Sequence, residues 1–134
     1  MLVASAAALS IGCPSRSAAD ARAIAAAFDA FEQASESDKH DALDSLRRAR
    51  CDEPQSCADR DVCARYADAI VRASDLSAKA HELGPEDAGG NGAATPTERA
   101  RIIQGAQDAL EEAQSAEPKC HEALERLRAG GAKS

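Results

Sequence analysis

Residues 57–83 read CADRDVCARYADAIVRASDLSAKAHEL. Apolar side chains recur at Val62, Tyr66, Ile70, Ala73, Leu76, Ala80 and Leu83, three or four places apart, and no run of β-branched residues competes with them. This is the period of one helix face, so the stretch predicts a long helix. Gly84-Pro85 supplies its stop.

The same pattern extends in both directions. Upstream, Ser17 with Asp20 three places on predicts a capping box, opening a helix with the stripe Ala21, Ile24, Phe28 and Phe31. Helix propensity dips over Ser35-Glu36-Ser37-Asp38, where Ser35 and Asp38 offer a second cap. Leu43 and Leu46 then line a segment running to Arg50. Residues 51–56, CDEPQS, read as a turn: Pro54 disfavours a continuous helix, and Ser56 with Asp59 caps the long middle helix. Downstream, residues 84–95 read as a flexible Gly-rich loop. Thr95, Pro96 and Glu98 open another helix with the apolar face Ile102, Ile103, Ala106 and Leu110. Pro118 predicts a break or kink. A last segment carries Cys120, Leu124 and Leu127 on one face and ends at Gly130-Gly131.

The expected fold is therefore all-α: an antiparallel bundle of three long helical runs, five helices if the outer runs are broken near Ser37 and Pro118. The helical domain is expected over residues 19–131, with 132–134 as a tail. Residues 40–47, HDALDSLR, also resemble 121–128, HEALERLR, so an internal repeat would match the break at Pro118 with one near Ser37.

At 134 residues the chain holds one domain, and its core is poor in bulk. Phe28, Phe31 and Tyr66 are the only aromatics, and alanine supplies most of the apolar count. Alanine buries little area, at about 25 cal/mol per Å², so covalent staples are expected. There are five cysteines, Cys13, Cys51, Cys57, Cys63 and Cys120. The last four make an even set for two disulfides. Cys51 and Cys57 flank the Pro54 turn. Cys63 borders the stripe of the middle helix, and Cys120 shares a face with Leu124 and Leu127. The pairing Cys51–Cys57 with Cys63–Cys120 is preferred; Cys51–Cys63 with Cys57–Cys120 stays open. The C-x5-C-x5-C spacing lacks the close pairs of structural zinc, and no C-x-x-C redox or C-x-x-C-H haem motif occurs.

The N-terminal stretch MLVASAAALSIGC is uncharged and apolar, and too short to span a bilayer, which needs about 20 residues. Ending in Ile11-Gly12-Cys13, it resembles a bacterial lipoprotein precursor with a degenerate lipobox, Ser10 standing where that family favours leucine. The resemblance implies a signal segment over residues 1–12, lipid on Cys13 and a tether over 13–18. It places the protein in the bacterial cell envelope, held to the membrane through that lipid and facing periplasm or exterior. A conventionally cleaved secretory signal and a buried Ala-rich helix are the alternatives.

The net charge of −7 argues against phosphate-neutralising nucleic-acid binding, and against adsorption of the domain itself onto anionic lipid. Candidate chemistry is sparse. His81-Glu82 lacks the second histidine of a zinc helix, and His40 and His121 read as surface residues. Glu111-Glu112 and Asp59 with Asp61 read as solvated helix charges. Tyr66, three after Cys63, reads as a core aromatic beside a disulfide. No catalytic set, metal site or cofactor is expected. The sequence supports a non-enzymatic envelope lipoprotein with a helical binding or structural module, meeting an envelope protein or a small ligand there. A secreted or periplasmic metal-binding protein or enzyme using Cys and His is one alternative. A cytosolic all-α interaction domain is another.

Overall fold

The computed structural model describes residues 15–84 and 95–133. The elements are α1 (Arg16–Gln33), a 3₁₀ turn (Glu36–Asp38), α2 (Lys39–Arg48), α3 (Pro54–Glu82) and α4 (Pro96–Ala132), with no strand among the described residues. The all-α reading holds. The signal segment, Cys13 and the core of the Gly-rich loop lie outside the described residues.

Several boundaries differ from expectation for local reasons. Ser15, not Ser17, caps α1, its hydroxyl accepting from Ala18 N at 3.3 Å. The first turn of α1 thus takes in part of the segment expected as a tether. Asp20 is released from capping, and its buried carboxylate accepts the Asp52 N–H at 3.0 Å, tying α1 to the turn before α3. Pro54 opens α3 rather than preceding it; at the first helical position its missing N–H costs nothing. Ser56 and Asp59 therefore sit inside α3 and cap nothing. Gly84, at φ 69°, closes α3 with its N–H on the His81 carbonyl at 3.1 Å. Thr95 and Glu98 form the predicted capping box of α4.

Pro118 does not break α4, which runs through it and on through Gly130-Gly131 to Ala132. Its ring is exposed, and the helix on either side is held by buried Ala113 and Cys120. Lateral packing outweighs the lost backbone bond. The chain therefore makes four helices rather than five among the described residues. The expected repeat loses its structural match: residues 40–47 lie in a separate short helix, whereas 121–128 continue a long one.

At residues 34–38 the break is a full reversal. Ala34 is extended, Ser35 Oγ donates to Asp38 at 2.7 Å, and Lys39 Nζ donates to the Phe31 carbonyl at 2.7 Å while lying 4.4 Å over the Phe31 ring. So α2 folds back along α1, and the expected first run becomes a hairpin. Contacts between α2 and α3 run in opposite order: Arg47 pairs with Asp68, and His40 with Asp75 at 3.1 Å. From base to tip, α3 and α4 are joined by Asp59–Arg126, Cys63–Cys120, Arg72–Glu112 and Leu76–Gly105, an antiparallel order. At one end of α1, Arg22 Nη1 donates to the Gly131 carbonyl at 2.9 Å; further along, Asp29 pairs with Arg128 at 3.1 Å. A Cβ on Gly131 would stand 2.6 Å from Arg22 Cγ, so glycine allows this close approach. The result is an up-down-up-down bundle.

Its core is built at the base from Ile24, Phe28, Phe31, Leu43, Leu46, Leu124 and Leu127. Towards the tip only alanines such as Ala73, Ala80, Ala106 and Ala109 are buried between α3 and α4. Because α1 ends near Cys120 and α2 begins near Ser74, the two long helices continue beyond both as a pair.

Candidate functional site

Four of the five predicted site residues are placed by the helices just described. Cys51 and Cys57 form one disulfide, closing the α2–α3 turn with a Cα–Cα distance of 5.2 Å. Cys63 and Cys120 form the other, at 4.7 Å, between the inner faces of α3 and α4. The preferred pairing is the one present. The cross-helix bond is buried, at 0% and 1% exposure, whereas Cys51 and Cys57 are half-buried. Cys13 is left as the one cysteine of the sequence outside these two bonds.

Asp59 overturns its reading as a solvated charge. It is 2% exposed and receives two prongs of Arg126, Nη2 at 2.8 Å and Nε at 3.2 Å, together with Gln55 Nε2 at 2.9 Å. The bond to Asp59 is the main reason the Arg126 guanidinium is held above its ordinary pKa. A signal was available: Asp59 lies four residues before Cys63, on the inward face of α3. Glu112, half exposed as its reading as a solvated charge expects, pairs with Arg72 across α3 and α4.

Asp59 and Arg126 form one wall of a crevice of about 280 Å³ at the base, with Ser15, Ser56, Gly130 and Lys133 around it. The N-terminal end of α1, the start of α3 and the end of α4 thus meet at one end of the bundle.

Tyr66 is half-buried on α3, its ring 6.1 Å from that of Phe28, beside the Cys63–Cys120 bond. Burial, then the carboxylates of Glu32 and Glu117, push its phenol above the ordinary tyrosine range. The histidines are dispersed and exposed: His40 faces Asp75, His121 lies 3.8 Å from Glu117, and His81 sits near the tip. Among the described residues no group of three or more His, Cys, Asp or Glu converges as metal ligands would.

At the tip, a groove of about 270 Å³ runs between α3 and α4, lined by Ser77, Ala80, His81 and Arg99 with Ile103, Ala106 and Leu110. Ile103 at 36% and Leu110 at 45% are the exposed large apolar side chains among the described residues. Of the expected apolar face of α4, Ala106 is buried and Ile102 partly so, whereas Ile103 and Leu110 line an open groove.

In comparisons with protein-family models, with curated proteins and with solved structures, nothing matches this chain. No described helix is long and apolar enough to cross a membrane. Fold and site together define a small disulfide-stapled four-helix protein, polar at its base and open and apolar near its tip.

Proposed function

We propose that this protein is a non-enzymatic lipoprotein of the bacterial cell envelope, anchored through acylated Cys13 and presenting its helical bundle as a binding or structural module. One observation carries the reading: Cys13 ends an uncharged apolar leader at Ile11-Gly12-Cys13, while the other four cysteines are joined in two disulfides. That parity suits an oxidising compartment, with the odd thiol reserved for lipid. Two or more acyl chains make a stable anchor, at about 0.8 kcal/mol per buried CH₂.

Geometry supports a direction for the anchor. Ser15, two residues after Cys13, lies at the base of the bundle beside Gln55 and Lys133. With the base against the membrane, the far end of α3 would stand about 40 Å out, at 1.5 Å per residue.

Intact-mass measurement of the native product tests the proposal. The expected species begins at Cys13, carries acyl mass there, and gains four hydrogens on full reduction, two per disulfide. Labelled palmitate that persists after Cys13→Ser, or a mass retaining residues 1–12, would refute it.

A further inference from the structure

The open groove at the tip continues the groove that α1 fills at the base. On α4, Leu124 and Arg128 face the end of α1 that carries Phe28 and Asp29. Leu110 lies two heptads before Leu124 and Ile103 three, so all three share a face of the helix. α1 ends beside Cys120 and His121, and beyond that level the face has no third helix among the described residues. Ile103 and Leu110 are therefore the large apolar side chains left open on that face.

We infer that the groove receives a second copy of this chain, with the two α4 helices antiparallel across a two-fold axis near Ala106 and Gln107. The face is complementary to itself in that register: Ile103 meets the partner's Leu110, and Leu110 meets the partner's Ile103. Charge selects the orientation. Arg99 lies at the tip end of the groove, and its Nε is buried with no hydrogen-bond partner among the described residues. In the antiparallel register it reaches the partner's Gln114, with the partner's Glu111 and the partner's Glu117 one turn to either side. A parallel pairing would set Arg99 against the partner's Arg99 and Glu117 against the partner's Glu117. The antiparallel fit also has the right length: the partner's Pro96 falls beside Glu117, just above the end of α1. The added helix runs in the same direction as α1 and prolongs it. Such a contact is isologous and closes at two subunits. It does not depend on the lipid anchor; with both copies anchored, the pair would lie along a membrane or link two facing ones.

Sedimentation equilibrium of the oxidised full-length chain carrying Cys13→Ser tests this without acyl chains. The expected mass is twice the 13.9 kDa of one chain. Leu110→Asp is expected to give monomers that stay folded, with the far-UV circular dichroism of wild type and a melting temperature independent of concentration, since Leu110 is exposed in the single chain. Arg99→Glu should weaken pairing roughly tenfold, because two symmetric attractions become repulsions, and adding Glu111→Lys with Glu117→Lys should restore it. When Ile103→Cys chains are mixed with Leu110→Cys chains, the cross-link should join one variant to the other in preference to two copies of the same variant. A wild-type chain monomeric to its solubility limit, a dimer indifferent to Leu110→Asp, or a predominant cross-link between two copies of the Ile103→Cys variant would each overturn the inference.

Discussion

Removing the Cys63–Cys120 bond while leaving Cys51–Cys57 intact isolates the largest covalent contribution to this fold. The bond closes a sequence separation of 57 residues, against 6 for its companion. On chain-entropy reasoning, the long closure restricts the unfolded chain by about 4 kcal/mol and the short one by about 2 kcal/mol. The two loops are neither nested nor overlapping, so the effects should add. For a domain of this size 1 kcal/mol moves the melting temperature by about 4 °C, so the Cys63→Ala/Cys120→Ala variant should melt about 15–20 °C below wild type. Cys51→Ala/Cys57→Ala should lose about half as much. Far-UV circular dichroism melts of the oxidised proteins measure both. Full reduction supplies the control, because the reduced wild type and the reduced variants then differ only by small side-chain volumes at the four sites. The half-buried Cys51–Cys57 bond should also be the first to open under limiting reductant, since attack needs access to sulfur. If the two oxidised double variants melt together, the staple reasoning fails, and the envelope reading loses its main structural support.

Other perturbations have definite expected signs. The chain has one tyrosine and no tryptophan, so an absorbance titration reads Tyr66 alone. Its phenol should ionise above the ordinary value of about 10, and Glu32→Gln should bring it back down. Because the folded pKa is raised, the stability this group contributes is fully present below the unfolded value and is lost as pH rises through the folded one; unchanged melting across that range would contradict it. Arg126→Ala should lower the melting temperature more than Asp59→Asn, because the arginine side chain is half exposed and can be hydrated alone, whereas the 3%-exposed carboxylate cannot; the reverse order would show that the buried Asp59 charge is satisfied without Arg126. Pro118→Ala should raise stability by about 2 kcal/mol, the helix-interior penalty less the unfolded-state entropy that proline removes, with urea denaturation as the readout and a destabilised variant as the refutation.

The long stripes are legible because helix period and turn residues agree with each other. Thr95-Pro96-Glu98 needs no tertiary information to open α4, and inward placement of Cys63 and Cys120 is enough to favour their bond. The departures share another cause. Ser35–Asp38 is visible as a break, but its conversion into a reversal depends on Lys39 reaching back over Phe31, a contact no periodicity encodes. Pro118 shows only its local penalty in the sequence, whereas neighbouring Ala113 and Cys120 hold the helix on both sides of it. Asp59 escapes sequence reasoning because acidity on a helix usually means solvent, and only the crossing of α3 and α4 brings Arg126 to it. The apolar direction of Ile103 and Leu110 is in the sequence; that α1 stops short of covering them is not.

The distribution of stabilising features along the bundle bears on what the tip is for. Both disulfides, the Asp59–Arg126 pair and most large core side chains sit in the half nearest the N-terminal end of α1. Towards the tip, α3 and α4 share alanine contacts, each removing little area from water, and no third helix among the described residues shields them. Local stability should therefore decline towards the tip, where opening costs least. A chain selected only for a stable monomer would lose little by carrying polar residues at 103 and 110. Instead it places isoleucine and leucine there, in heptad register with the leucine that meets α1. A second copy docked on that face would replace the missing third helix and bury the least protected part of the fold. On this argument the base holds the fold together, and the tip is the end left for the proposed association.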